Sequence, residues 1–208
     1  MATLVALQGG RVLLLENEKF PFYKIGEPLL PPTIHGICPL LGVGKAIEEA
    51  KFVPKRGGTF RWGKSPTPWT SAMAGPTSMA YQVERMKFDS IVLSNAREKE
   101  VDVREGHQAT TLIVENERVA GLNFLDEQGN AHACRARFVV DASGRQTALS
   151  RFAGERIYSK FFQNIGLFTS ATEGGCRRRI RGISFAQPLN MAGSGTFRWV
   201  MILLAWVR

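Results

Sequence analysis

The sequence predicts an α/β fold built on a parallel sheet, and three stretches carry that expectation. Arg11-Val12-Leu13-Leu14-Leu15-Glu16 is an apolar strand ending in an acid, and Arg85 to Lys99 places Met86, Phe88, Ile91 and Val92 at helical spacing. Residues 109–137 alternate as three strands, then feed Phe138-Val139-Val140-Asp141-Ala142-Ser143-Gly144, an apolar run that closes on Asp and Gly. In dinucleotide-binding folds a strand that ends in an acid is the second of the sheet, and its carboxylate accepts hydrogen bonds from the adenosine ribose. A glycine-rich phosphate loop is then expected roughly twenty residues earlier. Only Met1 to Gly10 precede Arg11, and they read as the end of a helix closed by a glycine cap, so the first strand and the phosphate loop are expected to be missing.

The remaining elements follow in order. Phe20 to Pro32 is a loop, because Pro21, Pro28, Pro31 and Pro32 interrupt any periodicity. Thr33 is placed to cap a helix running to Leu41, and Gly44 to Ala50 forms a second helix. Lys55 to Gly63 reads as a strand with glycines near one end, Pro66 to Pro76 as a loop, and Tyr81 to Glu84 as a short strand. Val101 to Arg104 alternates as another strand. Ala109 to Glu115, Arg118 to Asp126 and Ala131 to Arg137 make an antiparallel meander, turned at Asn116-Glu117 and at Asp126 to Asn130.

Composition narrows the class. With 208 residues and 44% hydrophobic content the chain can bury a substantial core. Cys38, Cys134 and Cys176 lack metal-ligand spacing and, with no signal peptide, favour a reducing cytoplasm; His35, His107 and His132 form no cluster, so no metal is expected. The net charge of +9 is concentrated in Arg177, Arg178, Arg179, Arg181, Arg198 and Arg208, a stretch without Asp, Glu or Lys. The mildly basic body gives no phosphate-tracking surface, and the apolar run Trp199 to Val207 is too short for a membrane span.

The ordered set of strand, helix, meander and Asp-Ala-Ser-Gly return resembles flavoproteins of the glutathione-reductase and aromatic-hydroxylase type. More narrowly, Leu14 to Pro21, Ile25-Gly26-Glu27-Pro28-Leu29-Leu30-Pro31, Lys55 to Gly63 and Tyr81 to Asp89 resemble the flavin-dependent halogenases, most of all the branch acting on phenol or pyrrole rings. The resemblance covers about residues 1–168. It implies a partial glutathione-reductase-type FAD-binding fold, a Rossmann-like sheet with an antiparallel β-meander, followed by the start of a substrate domain. It also implies FAD reduced by a partner flavin reductase, oxygen and halide as co-substrates, and a flavin hydroperoxide that oxidises chloride or bromide. The aromatic substrate is free or tethered to a carrier protein, and the hypohalous acid reaches it past a lysine.

Lys55 stands where the family places that lysine. An ammonium can polarise hypohalous acid and a free amine can form a haloamine; the alternative is a solvated lysine of the basic run Lys51, Lys55 and Arg56. By the same resemblance Glu16 takes the ribose hydroxyls, Gly26 and Glu27 fall in a loop near the flavin, and Asp141 and Gly144 close the return strand beside it. Pro28 stands where the family has Ser, which removes a hydroxyl and a backbone donor from that loop. Arg85 lies by the pyrophosphate or the ring system, or else pairs with Asp89 at the helix start. Asp141 serves the cofactor or only caps a turn. Related readings are a flavin monooxygenase that hydroxylates and a non-catalytic pseudo-enzyme.

From about Gly175 the resemblance stops, and residues 169–208 are expected to be a divergent, out-of-frame tail. Moving the codon starts of Ala192 to Arg208 back one base allows a reading that contains W-F-W-Y-I-P, the family's W-x-W-x-I-P signature. The bases fixed by Met191, Trp199, Met201 and Trp206 give Gly, Gly, Asp and Gly, all compatible with that continuation. The alternative is a genuine divergent tail.

Overall fold

A computed structural model describes residues 1–22, 29–55, 57–60, 67, 69–72, 79–144, 149, 154, 157, 165–171, 183–189 and 200–206. The chain divides into two compact units: Met1–Phe22 with Leu93–Tyr158, and Tyr23–Val92 with Ser159–Arg208.

The first unit opens with α1, Ala2–Leu7. Gly10 N–H donates to Val5 O and Gly9 N–H to Ala6 O, the paired bonds of a Schellman cap, and Gly9 takes the left-handed conformation this requires, φ +80°. Strand β1, Leu13–Glu16, then pairs in parallel with Asp102–Glu105 (β6), Glu16 opposite Glu105. The meander is β7 (Gln108–Glu115), β8 (Arg118–Leu125) and β9 (Ala131–Arg135), in that order and antiparallel. Asn116 and Glu117, at φ +50° and +60°, form the two-residue turn whose twist suits a hairpin. At Gly121 the strands approach so closely that a Cβ would lie 2.1 Å from the Cys134 carbonyl oxygen.

The expected return strand at 138–144 is not formed. Ala136 N–H makes a last ladder bond to Ala120 O, but β8 begins at Arg118, so the chain runs out of partner there. Phe138 and Val140 are left 74% and 62% exposed.

The second unit is built on short helices. The expected Thr33 cap is absent: the helix starts at Pro31, and Thr33–Ile37 is a π-helical turn that continues into α2, Cys38–Leu41. Pro39 explains the wide turn. It has no N–H for the His35 carbonyl four residues back, and its ring would strike that oxygen, so the helix opens and Cys38 N–H donates to Thr33 O, five residues earlier. Gly44–Glu49 is α3. Cys38, Leu41, Val43, Ile47, Phe52 and Val83 form the buried core, flanked by Ile34, Tyr81, Phe88, Ile91 and Val92. Each large side chain buried there contributes about 1.5–3 kcal/mol.

The single strand expected over Lys55 to Gly63 is two strands in two sheets. Val53–Lys55 (β2) pairs antiparallel with Ala80–Gln82 (β5), whereas Gly57–Phe60 (β3) pairs with Trp69–Ala72 (β4). Strand β3 also adjoins β11 (Ile183–Leu189) in a five-stranded sheet completed by β10 (Ile165–Ala171) and β12 (Val200–Trp206), in the order β10-β12-β11-β3-β4. Helix α4, Arg85–Glu98, contains the boundary between the units.

Candidate functional site

In the second unit, β2 delivers Lys55 into the interior. Val53 and Pro54 are exposed, but Lys55 is only 8% exposed and lies in register with Ala80, which is fully buried. Burial pushes the Lys55 ammonium below its ordinary range, because the charged form loses hydration. No carboxylate partner for its Nζ is found among the described residues. Such a lysine gives up its proton more readily than the solvated lysine of a basic run.

Arg85 opens α4 and grips Asp89 with two bonds of 3.1 Å, Nε to Oδ1 and Nη2 to Oδ2. This is the bidentate geometry of a strong ion pair. Gly26 and Glu27 lie outside the described residues. Lys55 and Arg85 belong to the second unit, and Glu16, Asp141 and Gly144 to the first.

In the first unit Glu16 ends β1 at the carboxyl end of a parallel strand pair, the edge where α/β sheets bind ligands. Its Oε1 accepts the Glu18 N–H at 3.2 Å, and its backbone carbonyl accepts the His107 N–H at 3.0 Å. The loop leaving Glu16 is pinned by acids. Glu105 accepts the Phe20 N–H at 2.7 Å and a bond from Arg97, while Lys19 reaches Glu127 at 2.5 Å. Burial works to raise the Glu105 carboxyl, but the Phe20 N–H and the Arg97 guanidinium outweigh it and hold the group below its usual range. The half-buried Glu16 carboxylate thus suits the ribose half of a dinucleotide: acceptor oxygens at the sheet's carboxyl edge, on a loop held in place.

Asp141 organises its own loop. Its Oδ1 accepts the Ser143 N–H at 3.0 Å and the Ser143 hydroxyl at 2.6 Å, and its Oδ2 accepts the Leu149 N–H at 3.2 Å. Gly144 follows at φ +71°. Among the described residues no group of three His, Cys, Asp or Glu could hold a metal ion, and no helix is long and apolar enough to cross a membrane.

Two residues that sequence reasoning passed over matter here. Glu105 positions the loop after Glu16, and the sole signal was an acid at the end of the second parallel strand. His35, a lone histidine in the sequence, donates from Nε2 to the Met79 carbonyl at 2.7 Å, one residue before the partner of Lys55.

Comparison with known proteins shows the family of this chain. The family model "Tryptophan halogenase" matches residues 1–75 and 69–165. A tryptophan 2-halogenase of Chondromyces crocatus is 34% identical over 168 residues, 79% of this chain and 31% of that protein. A 1H-pyrrole-2-carbonyl-[peptidyl-carrier protein] brominase of Pseudoalteromonas luteoviolacea is 30% identical over 163 residues, 77% of this chain and 39% of its own. The myxobacterial chondrochloren halogenase CndH, a FAD-dependent enzyme, superposes with a TM-score of 0.78 at 43% identity, over 89% of this chain and 44% of that one. The chain spans about a third of the length of the first two curated relatives it matches. Mixed strands and helices of this arrangement fit the partial Rossmann-like FAD-binding fold of those enzymes, and this chain belongs to the flavin-dependent halogenases of the tryptophan-halogenase family.

Proposed function

We propose that these residues are the part of a FAD-dependent halogenase that holds the adenosine ribose through Glu16 and presents Lys55 to hypohalous acid beside an aromatic ring. The observation that carries this reading is the nearly buried Lys55 on β2, paired with the fully buried Ala80 of β5, its ammonium destabilised by lost hydration. Bound and reduced, FAD supplies with oxygen the oxidising equivalent that converts halide to hypohalous acid. Lys55 orients that acid and excludes bulk water from it. By the family resemblance, Gly26, Glu27, Arg85, Asp141 and Gly144 are assigned to the cofactor. The pyrrole-directed relative, which acts on a carrier-bound pyrrole, supports a carrier-bound pyrrole substrate here; a phenol or a free substrate is the other form of the proposal, which also includes a partner flavin reductase and a cytoplasmic, secondary-metabolite setting.

The reading is tested in a chimera in which residues 1–168 replace the matching region of the myxobacterial halogenase, assayed with reductase, oxygen, chloride and a phenol. Lys55→Ala is expected to lower chlorination by at least ~100-fold, the scale of one positioned acid, while flavin oxidation continues. Retained chlorination overturns the role of Lys55, and a hydroxylated product in place of a chlorinated one shifts the reading to a monooxygenase. For residues 169–208 we propose an out-of-frame origin; coding DNA that does not spell W-F-W-Y-I from the shifted codons of Gly193 to Phe197 rejects it.

A further inference from the structure

Lys55 sits in a ladder of three residue pairs, and an isolated ladder that short does not hold itself in water. Its support is on the outer edge of β5. Pro54 has no N–H, so Pro54 and Tyr81 face one another without exchanging bonds, and the peptide groups of Met79 and Tyr81 turn away from β2. Both outward carbonyls are taken by a single stretch of chain. Leu29 N–H donates to Tyr81 O at 2.9 Å, and His35 Nε2 donates to Met79 O at 2.7 Å. A carbonyl only accepts, so the His35 contact requires the proton on Nε2. The ring belongs to the π-helical turn that Pro39 opens, and such turns recur at functional sites. Cys38 of the same helix is buried in the core that underlies Phe52, so the histidine is anchored at its base as well as at its tip.

We propose that His35 is a positioning residue for Lys55: by pinning the Met79 carbonyl it fixes the edge of β5 and keeps the strand carrying Lys55 in register and out of bulk water. This rests on Lys55 as the reactive lysine of the preceding section, and the two ideas fail differently. The probe is competitive acetylation of the 208-residue chain by acetic anhydride between pH 7 and 11, read for each lysine by mass spectrometry, with exposed Lys45 as the internal reference.

In the unmodified chain Lys55 is expected to label at least ~10-fold more slowly than Lys45. His35→Ala should speed Lys55 by about 3- to 10-fold, the range for one lost hydrogen bond, and bring its pH profile towards that of Lys45. His35→Gln, which can present an amide N–H at similar reach, should restore slow labelling. Ile47→Val, a mild loss of core volume in the same unit, should leave Lys55 unchanged. An unaltered Lys55 in His35→Ala, no rescue by His35→Gln, or an equal effect of Ile47→Val overturns the positioning role and leaves the Lys55 reading standing. Labelling of Lys55 as fast as Lys45 in the unmodified chain removes the burial on which both ideas depend.

Discussion

The meander β7–β9 and the strand pair β2–β5 are both antiparallel, yet they are held by opposite means. The meander has ladders of seven and five residue pairs, closed by turns whose chemistry is local: Asn116-Glu117 at positive φ, and Asp126 bonding back to Gln128 and Asn130. The pair β2–β5 has three residue pairs and no turn of its own. Helices packed against it and two bonds to its outer edge, from Leu29 and His35, hold it in place. A scaffold specified by neighbours in sequence is robust, whereas the buried Lys55 sits on a strand pair held by residues far away in the chain. Removing distant packing should therefore disturb the lysine pair most, and altering local geometry should disturb the meander most.

The largest effect is expected from Ile47→Ala. Ile47 is fully buried in the core of the second unit, so the cavity should cost about 2–5 kcal/mol, read as a lower urea midpoint. If the pair depends on that core, Lys55 also becomes as reactive as Lys45 in the same variant. A stable Ile47→Ala chain with Lys55 still protected would mean that β2–β5 holds itself, and the contrast would break.

The corresponding local blow to the meander is Gly121→Ala. A methyl group there meets the Cys134 carbonyl oxygen at 2.1 Å, so β8 and β9 must part, at a cost of about 1–3 kcal/mol. Amide hydrogen exchange should rise along β9 and stay unchanged in β2 and β5. Exchange rising equally in both places would show the two regions to be one cooperative unit.

Lys55→Met probes the cost of burying an ammonium. Burial depresses the Lys55 pKa in the folded chain, so the unfolded chain binds more proton, and on this account stability increases with pH up to the ordinary lysine value of 10.5. Methionine fills similar space without the ammonium. The variant should be as stable as the parent or about 1 kcal/mol more so at pH 7, with the alkaline rise in stability removed. A large destabilisation would show that Lys55 has a structural partner beyond the described residues.

These contrasts also explain what the sequence could reveal. The meander was legible because alternation at residues 108–135 and the turn residues between them act over two to five positions. Strand β1 and helix α4 were legible from apolar periodicity, and the glycine cap of α1 from Gly9-Gly10. The return strand at 138–144 was misread, since an apolar run shows the capacity to pair but not whether a partner edge lies alongside. Thr33 was misread as a cap because Pro31 can start a helix itself, and Pro39 then rearranged the turn. Lys55 is singled out as a candidate only through the family resemblance. Its burial and its pairing with Ala80, 25 residues on, are reported by no local pattern, and the same holds for His35, whose partner is 44 residues away.

The smallest effect sharpens the local side of the comparison. Asp126 accepts Gln128 N–H at 2.9 Å, Asn130 N–H at 2.8 Å, the Asn130 side chain at 3.0 Å and His132 Nε2 at 2.7 Å, while the His132 ring stacks on Phe124. The His132 bond foremost, with the Asn130 and Gln128 donors, holds the Asp126 carboxyl far below its ordinary value of 3.8. A carboxyl depressed on folding contributes stability that is fully present above its unfolded pKa and is lost as pH falls below it. The meander should therefore loosen between pH 4 and 2, seen as faster amide exchange in β8 and β9, and Asp126→Asn should flatten that dependence while loosening the turn modestly at neutral pH. Because every donor to Asp126 lies within six residues of it, the acid effect should stay in the meander and leave Lys55 labelling at its parent value once neutral pH is restored; a lasting change at Lys55 would show that the local scaffold and the distant lysine pair are coupled after all.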